Sequence, residues 1–283
     1  MYVNASPFDR AAATTAVPGY IRATGQLRVS LRRAGPRTAP LDIFETGGLR
    51  IRFPNADGPA QGVLVNTAGG LAGGDRIDID CRLEKGTSAL LTTQSAEKIY
   101  RADAAPARVA VRLSLAERAS LGWLPQETIL FDGAQVVRTL DVDMAQSSSL
   151  TVLEIVVFGR IARGEDLTRG LFRDRWRIRR AGRLVLAEDV HLAGPIAETL
   201  AGAATGKGAR AIATLVHIAG KSATRLAGLR RVLAGAACRC GASGWNDMIV
   251  ARFAGADPMR LRRDALAAAR HFMPGPAPRV WSI

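Results

Sequence analysis

Gly62-Val63-Leu64-Val65-Asn66-Thr67-Ala68-Gly69-Gly70-Leu71-Ala72-Gly73-Gly74-Asp75-Arg76-Ile77-Asp78-Ile79-Asp80-Cys81-Arg82-Leu83 is the stretch that decides the fold class. A short apolar run enters four glycines, and the residues after them separate the readings. A phosphate loop puts Lys-Ser or Lys-Thr directly after its last glycine. Here Asp75-Arg76 come next, and the Asp75 carboxylate repels phosphate. A dinucleotide fingerprint opens a helix after its glycines. Here Ile77, Ile79, Cys81 and Leu83 alternate with Asp78, Asp80 and Arg82, the period of a half-buried strand. The glycines therefore read as a turn joining two strands.

The same period spreads outward in both directions. Leu27, Val29 and Leu31 alternate with polar neighbours, as do Leu49, Ile51 and Phe53, and Val109, Val111, Leu113 and Leu115. Further strands are read at 62–65, 88–93, 128–131, 135–142, 150–158, 172–179, 183–188, 209–218 and 248–253. Helical signals are sparse before Pro195. Beyond it, Leu226, Leu229, Val232 and Leu233 fall at helical spacing. Asp257-Pro258 opens a helix, Asp as cap and Pro in the first turn. That helix is expected to reach about Phe272 and to stop before Pro274, with Ala265–Ala269 small enough to pack closely. The chain reads as mainly β, with stacked or wrapped sheets and a few α-helices toward the C-terminus. Residues 1–18 lack periodicity and are expected to be a flexible tail. Residues 19–283 read as one domain without an internal repeat.

Composition narrows the function classes. The 283 residues are 48% hydrophobic and 23% charged, enough apolar material for a substantial core. The net charge of +14 raises nucleic acid as a partner. Against that, aromatic residues are only 5%, and no basic run is interleaved with stacking rings. The charge is nearly all arginine, with Lys only at 85, 98, 207 and 221. An acidic protein partner fits better. Cys81, Cys238 and Cys240 are too few and odd in number for a disulfide framework. Cys238-x-Cys240 would be half of a zinc site, but no second ligand pair lies near it in sequence, so buried thiols are expected. No signal peptide and no span of about 20 apolar residues is read, so a soluble, cytoplasmic protein without a membrane partner is expected.

His191, His217 and His271 are the only histidines. His217 is expected inside a sheet, and His271 at a helix end where its charge suits the dipole. No Gly-x-Ser-x-Gly elbow occurs. Five carboxylates stand in or beside apolar or glycine-rich segments, where an unpaired charge is costly: Asp75, Glu127, Asp132, Glu154 and Glu165. Glu154, inside Val152-Leu153-Glu154-Ile155-Val156, is the sharpest case. Arginine ion pairs, hydrogen-bonded turns, or weak transient cation binding would each account for them. Trp123-Leu124-Pro125-Gln126-Glu127-Thr128-Ile129-Leu130-Phe131-Asp132-Gly133-Ala134 sets Pro, Gln and Glu between two apolar pieces, an interruption that often marks a functional surface.

These pieces resemble one family, the UreD (UreH) urease accessory proteins. Leu91 to Arg101 resembles its TTP-x-A-x-K-x-Y-R segment, and Trp123 to Ala134 its W-L-P-Q-E-x-I-x-F-x-G-A segment. Gly73-Gly74-Asp75 is similar to its GGD turn. Glu154, Gly159-Arg160 and Gly164-Glu165 resemble its E-x(4)-G-R-x-x-x-G-E spacing. Pro278-Arg279-Val280-Trp281 is similar to its PR-[IV]-W ending. The matches run in order over roughly residues 20–283. Two departures stand out. Asn66-Thr67-Ala68 replaces the family's frequent His and Pro, and Gln94 stands where Pro is common.

The resemblance implies two sheets wrapped helically, with a few helices. It implies binding to UreF, to UreG through UreF, and to apo-urease, and nickel transfer toward the urease site without catalysis. Ni²⁺ is held well by imidazole and thiolate, and this chain has three of each, scattered in sequence. No tightly bound cofactor is expected, only transient Ni²⁺ on Asp75, Glu127, Asp132, Glu154 and Glu165. A carboxylate-dependent hydrolase and a charge-driven nucleic-acid binder are the competing readings.

Overall fold

The computed structural model describes residues 22–55, 58–220, 222–273 and 275–281. The expected tail over residues 1–18 lies outside them. The protein is mainly β and forms two sheets, as the alternating segments require. One sheet has seven strands in the order β14 (Arg183–Gly194), β13 (Gly170–Arg180), β11 (Gln135–Met144), β8 (Ala107–Leu115), β5 (Arg76–Leu83), β1 (Thr24–Ala34), β2 (Arg37–Thr46). The second runs β16 (Arg239–Trp245), β17 (Met248–Gly255), β15 (Ala211–Ile218), β12 (Ser149–Phe158), β9 (Ser120–Leu124), β6 (Ser88–Thr93), β4 (Ala60–Asn66), β3 (Leu49–Arg52). A short strand, β10 (Thr128–Leu130), lies parallel to β12 and to β7 (Glu97–Ile99).

From β4 to β13 the main strands alternate between sheets, and neighbours within each sheet are parallel. Ile77 pairs with Val109 in one sheet, and Ala89 with Leu121 in the other, at the same spacing along the chain. The next turn repeats this: Ala107 pairs with Val136 and Leu121 with Leu150. The backbone is thus a coil with one strand per sheet per turn, although no sequence repeat announces it. The glycine segment turns the chain from β4 to β5. Gly70 has φ +154°, and a Cβ there would meet the Lys98 carbonyl at 2.8 Å. Glycine is therefore required where the turn crosses the chain leading out of β7.

The layers explain the patterns. Seven-stranded-sheet residues such as Val29, Ile79, Leu113, Val142 and Ile178 meet Leu91, Leu121, Leu150 and Val152 in the inter-sheet core. The far side of the second sheet is covered by α2 (Ser222–Leu233) and α3 (Pro258–Arg270), through Leu90, Leu153, Ile155, Leu215, Ala251, Leu229, Leu261 and Ala265. β12 is buried on both faces and so reads as a continuous apolar run. The same reason hides β9, in which four consecutive residues are buried. β2 escapes the alternation pattern because it is an edge strand open on both sides, with Pro40 at a register shift. β16 is an exposed edge carrying Gly241 and Gly244, and α1 (Ile196–Ala201) is a single short helix.

α3 starts as expected: the Asp257 carboxylate accepts from the Met259 and Arg260 amides at 2.9 and 3.1 Å. It ends at Arg270 with His271 as its C-cap, two residues before the expected end, and Pro274 lies outside the described residues. His217 does sit inside the sheet. Its ring stacks on Phe272 at 4.2 Å, its Nδ1 meets the Thr151 hydroxyl at 3.0 Å, and its Nε2 accepts from Arg225 at 2.9 Å. Burial holds it neutral, with its pKa lowered to about 3. No helix among the described residues is long and apolar enough to cross a membrane.

Ala265, Ala268 and Ala269 are fully buried where α3 meets β12, β15 and β17. Ala268→Leu overfills that contact and is expected to cost about 1–3 kcal/mol, read as a lower urea midpoint at unchanged slope. Ala267→Leu, on the exposed side of the same turn, should change the midpoint little.

Candidate functional site

A cavity of about 150 Å³ lies between the two sheets. Its floor is apolar, with Leu71, Ile79, Val111 and Leu140 among the lining residues. Set into it are Glu154, Asp174, Arg138, Thr128 and Trp123 deep inside, and Glu97 and Asn66 nearer the exposed Gln94 and Ser95. A second cavity of about 20 Å³, room for about one water, shares Glu154, Asp174 and Trp176 with the first and reaches Glu188 and Thr214. Glu154, Asp174 and Trp176 therefore form a wall common to both cavities.

Strand parity puts these polar groups inside. On β12, Val152, Glu154 and Val156 face the other sheet, while Leu153 and Ile155 face the helices. On β13, Phe172, Asp174, Trp176 and Ile178 point inward; on β11, Val136, Arg138, Leu140 and Val142 do. The Arg138 guanidinium bridges the sheets. It donates to Glu154 at 3.0 Å, to the Thr128 hydroxyl at 2.8 Å, and to Asp174. Trp123 Nε1 donates to the other Glu154 oxygen at 3.0 Å. Burial pushes the Glu154 carboxyl above the usual carboxylate range; Arg138 opposes this and Asp174 adds to it.

Glu97 is different. Both its oxygens accept from the Asn66 amide, each at 3.1 Å, and it makes no ion pair among the described residues. Burial raises its pKa to about 7, against the smaller opposing pull of the Asn66 hydrogen bonds.

Of the five carboxylates singled out in sequence, Glu154 lines the cavity. Asp75 closes the glycine turn, accepting from the Ala23 and Ala72 amides, each at 2.8 Å. Asp132 and Glu165 are brought together: Asp132 accepts from the Thr168 amide and hydroxyl, each at 2.7 Å, and its own amide donates to Glu165 at 3.1 Å. The Thr168 hydroxyl foremost lowers the Asp132 pKa, and the Arg160 hydrogen bonds lower that of Glu165. Glu127 is paired with Arg262 at 2.5 Å, and Arg262 also reaches Gln126 and lies over the Trp281 ring at 4.8 Å. The Trp123–Ala134 interruption thus anchors the chain's last described turn, with Gln126 donating to the Val280 carbonyl at 3.1 Å.

Sequence reading missed Arg138, Asp174, Glu97 and Glu188. A charged residue at an inward position of an alternating strand was the available signal for the first two. The thiols correct an expectation. Cys238, just before the edge strand β16, and Cys240, within it, are half-buried rather than buried, and burial raises both, Cys238 to about 12. Among the described residues, no three His, Cys, Asp or Glu side chains converge on a metal-sized point.

A two-sheet β coil with carboxylates set into a cavity between its sheets defines the class: a β scaffold with buried charge in its interior. The chain belongs to the UreD urease accessory protein family, whose model matches residues 23–282. It is 41% identical to a urease accessory protein UreD of Azorhizobium caulinodans, over 93% of this chain and 97% of the relative. It is 47% identical to one of a Methylobacterium species, over 88% and 90%. It is 44% identical to one of Rhodopseudomonas palustris, over 98% and 99%.

The raised Glu97 pKa gives a signed pH effect. Below pH 4.5, folded and unfolded chains both hold the proton. Between pH 4.5 and about 7 the unfolded chain releases it while the folded chain keeps it, so stability falls. Above about 7 both are ionised and the full cost stands. Glu97→Gln should therefore be more stable than the parent by a margin that opens between pH 4.5 and 7 and then levels, at most about 3 kcal/mol, in paired urea titrations across pH.

Proposed function

We propose that this chain is a urease maturation factor: a non-catalytic, cytoplasmic scaffold that binds apo-urease and UreF, reaches UreG through UreF, and passes Ni²⁺ toward the urease active site. The observation that carries it is the pair of neighbouring cavities that share the Glu154 and Asp174 wall, inside a chain of this family. A cation in transit needs oxygen ligands spaced along a wet path, none of which closes a full coordination shell. Glu97 near the surface, Glu154 and Asp174 in the middle, and Glu188 at the far end supply that series. Dispersed carboxylates and water bind Ni²⁺ less firmly than imidazole and thiolate, so the ion moves on.

The competing readings fit the geometry less well. A hydrolytic carboxylate pair needs a free acid and a free base, yet Glu154 and Asp174 are both held by Arg138. The cavity is also smaller than the few hundred Å³ usual for ligand sites. On the outer strand faces, arginines are interleaved with acids, as in Arg76–Asp78, Arg82–Asp80 and Arg173–Asp189. That is not the uniform basic stripe that tracks a phosphate backbone.

Co-expressed with UreF, UreG and urease subunits, the chain should pull down UreF and apo-urease, and urease activity should depend on its presence. Glu154→Gln keeps the side chain's shape and should retain both partners while lowering activated urease roughly tenfold, the scale of a lost ligand or ligand partner. Full activation by this variant would remove Glu154 from the path. A melting curve checks that the loss is not one of folding.

A further inference from the structure

Arg138 stands where a metal ion would be expected. Two carboxylates from different sheets, Glu154 on β12 and Asp174 on β13, converge at the wall the two cavities share. Buried together, their negative charges need a partner cation. The guanidinium is that cation, and it cannot lose its proton to leave. It is also placed for charge more than for hydrogen bonding. Arg138 is 8% exposed, its two terminal nitrogens hold Glu154, Thr128 and Asp174, and its Nε is buried with no partner among the described residues.

We propose that Arg138 is a tethered counter-cation filling a latent divalent-cation site formed by Glu154, Asp174 and the Thr128 hydroxyl, with cavity water completing the shell. Without it, two carboxylates and a hydroxyl are an all-oxygen set for a first-row divalent ion, and at equal ligands Ni²⁺ binds more tightly than Mn²⁺. With it, the junction is occupied and metal affinity stays low. A passing ion borrows one carboxylate at a time and is released. That last step rests on the maturation reading; the latent site does not.

Removing a positive charge should therefore create a metal site. In calorimetric titrations of the full chain, Arg138→Gln should bind one Ni²⁺ at least about tenfold more tightly than the parent, and more tightly than it binds Mn²⁺. Ni²⁺ should raise the melting temperature of Arg138→Gln and leave that of the parent nearly unchanged. Adding Glu154→Gln or Asp174→Asn to Arg138→Gln should abolish the gain. Equal Ni²⁺ binding by parent and variant, or a gain that survives Glu154→Gln, overturns the proposal. Where Arg138→Gln does not fold alone, refolding with Ni²⁺ should restore it and Mg²⁺ should do so less well; no recovery with any divalent ion also overturns it. In the urease activation assay Arg138→Gln should retain metal and activate less than the parent. A parent that activates no urease, beside a variant that gains Ni²⁺, would sink the maturation reading and leave the latent site standing.

Discussion

The Glu154–Arg138–Asp174 bridge is the interaction on which the interior depends. Two β-sheets normally close on each other with apolar side chains, and most of this interface does. At the bridge, three charges are buried together instead. Arginine alone, or either carboxylate alone, would be prohibitively desolvated; together, with Thr128 and Trp123 supplying hydrogen bonds, they hold. The two cavities lie against this bridge, which lines both of them through Glu154 and Asp174. Their charged lining is thus a consequence of charge placed at inward positions of ordinary strands.

The rest of the fold positions that bridge. The coil brings β11 and β13 side by side in one sheet, with β12 opposite them in the other, so Arg138, Asp174 and Glu154 converge although they come from three successive strands. The helices seal the second sheet from behind, so β12 buries a carboxylate on one face and Leu153, Ile155 and the hydrogen-bonded Thr151 on the other. Arg262 of α3 pairs with Glu127 and carries Gln126 against the last described turn, so the C-terminal end is fastened beside the cavity wall formed by Pro125 and Gln126.

Much of this was legible in the sequence. Period-two alternation located β1, β3, β5 and β8; β11 and β13 were read as further strands, and the alternation after Gly74 favoured a strand turn over a nucleotide loop. The Asp-Pro helix start was read correctly down to its cap. The illegible parts have a physical cause that sequence does not display. β9 is buried on both faces and β2 on neither, so neither alternates. Glu154 stood out because it interrupts an apolar run. Asp174 did not, because it sits among Arg173, Arg175 and Arg177 and only strand parity shows that it alone points inward. Asp75, Asp132 and Glu165 drew notice for the right reason, costly carboxylates beside tight turns, and the structure gives each hydrogen-bonded work in those turns.

The most direct test is anomalous diffraction at the nickel edge, on crystals of this chain with its binding partners grown or soaked in Ni²⁺. The account predicts partially occupied nickel peaks between the two sheets, close to Glu97 and to the Glu154–Asp174 junction. Nickel found only on the outer faces, or only at Cys238 and Cys240, with ordered water alone in the cavity, would contradict it.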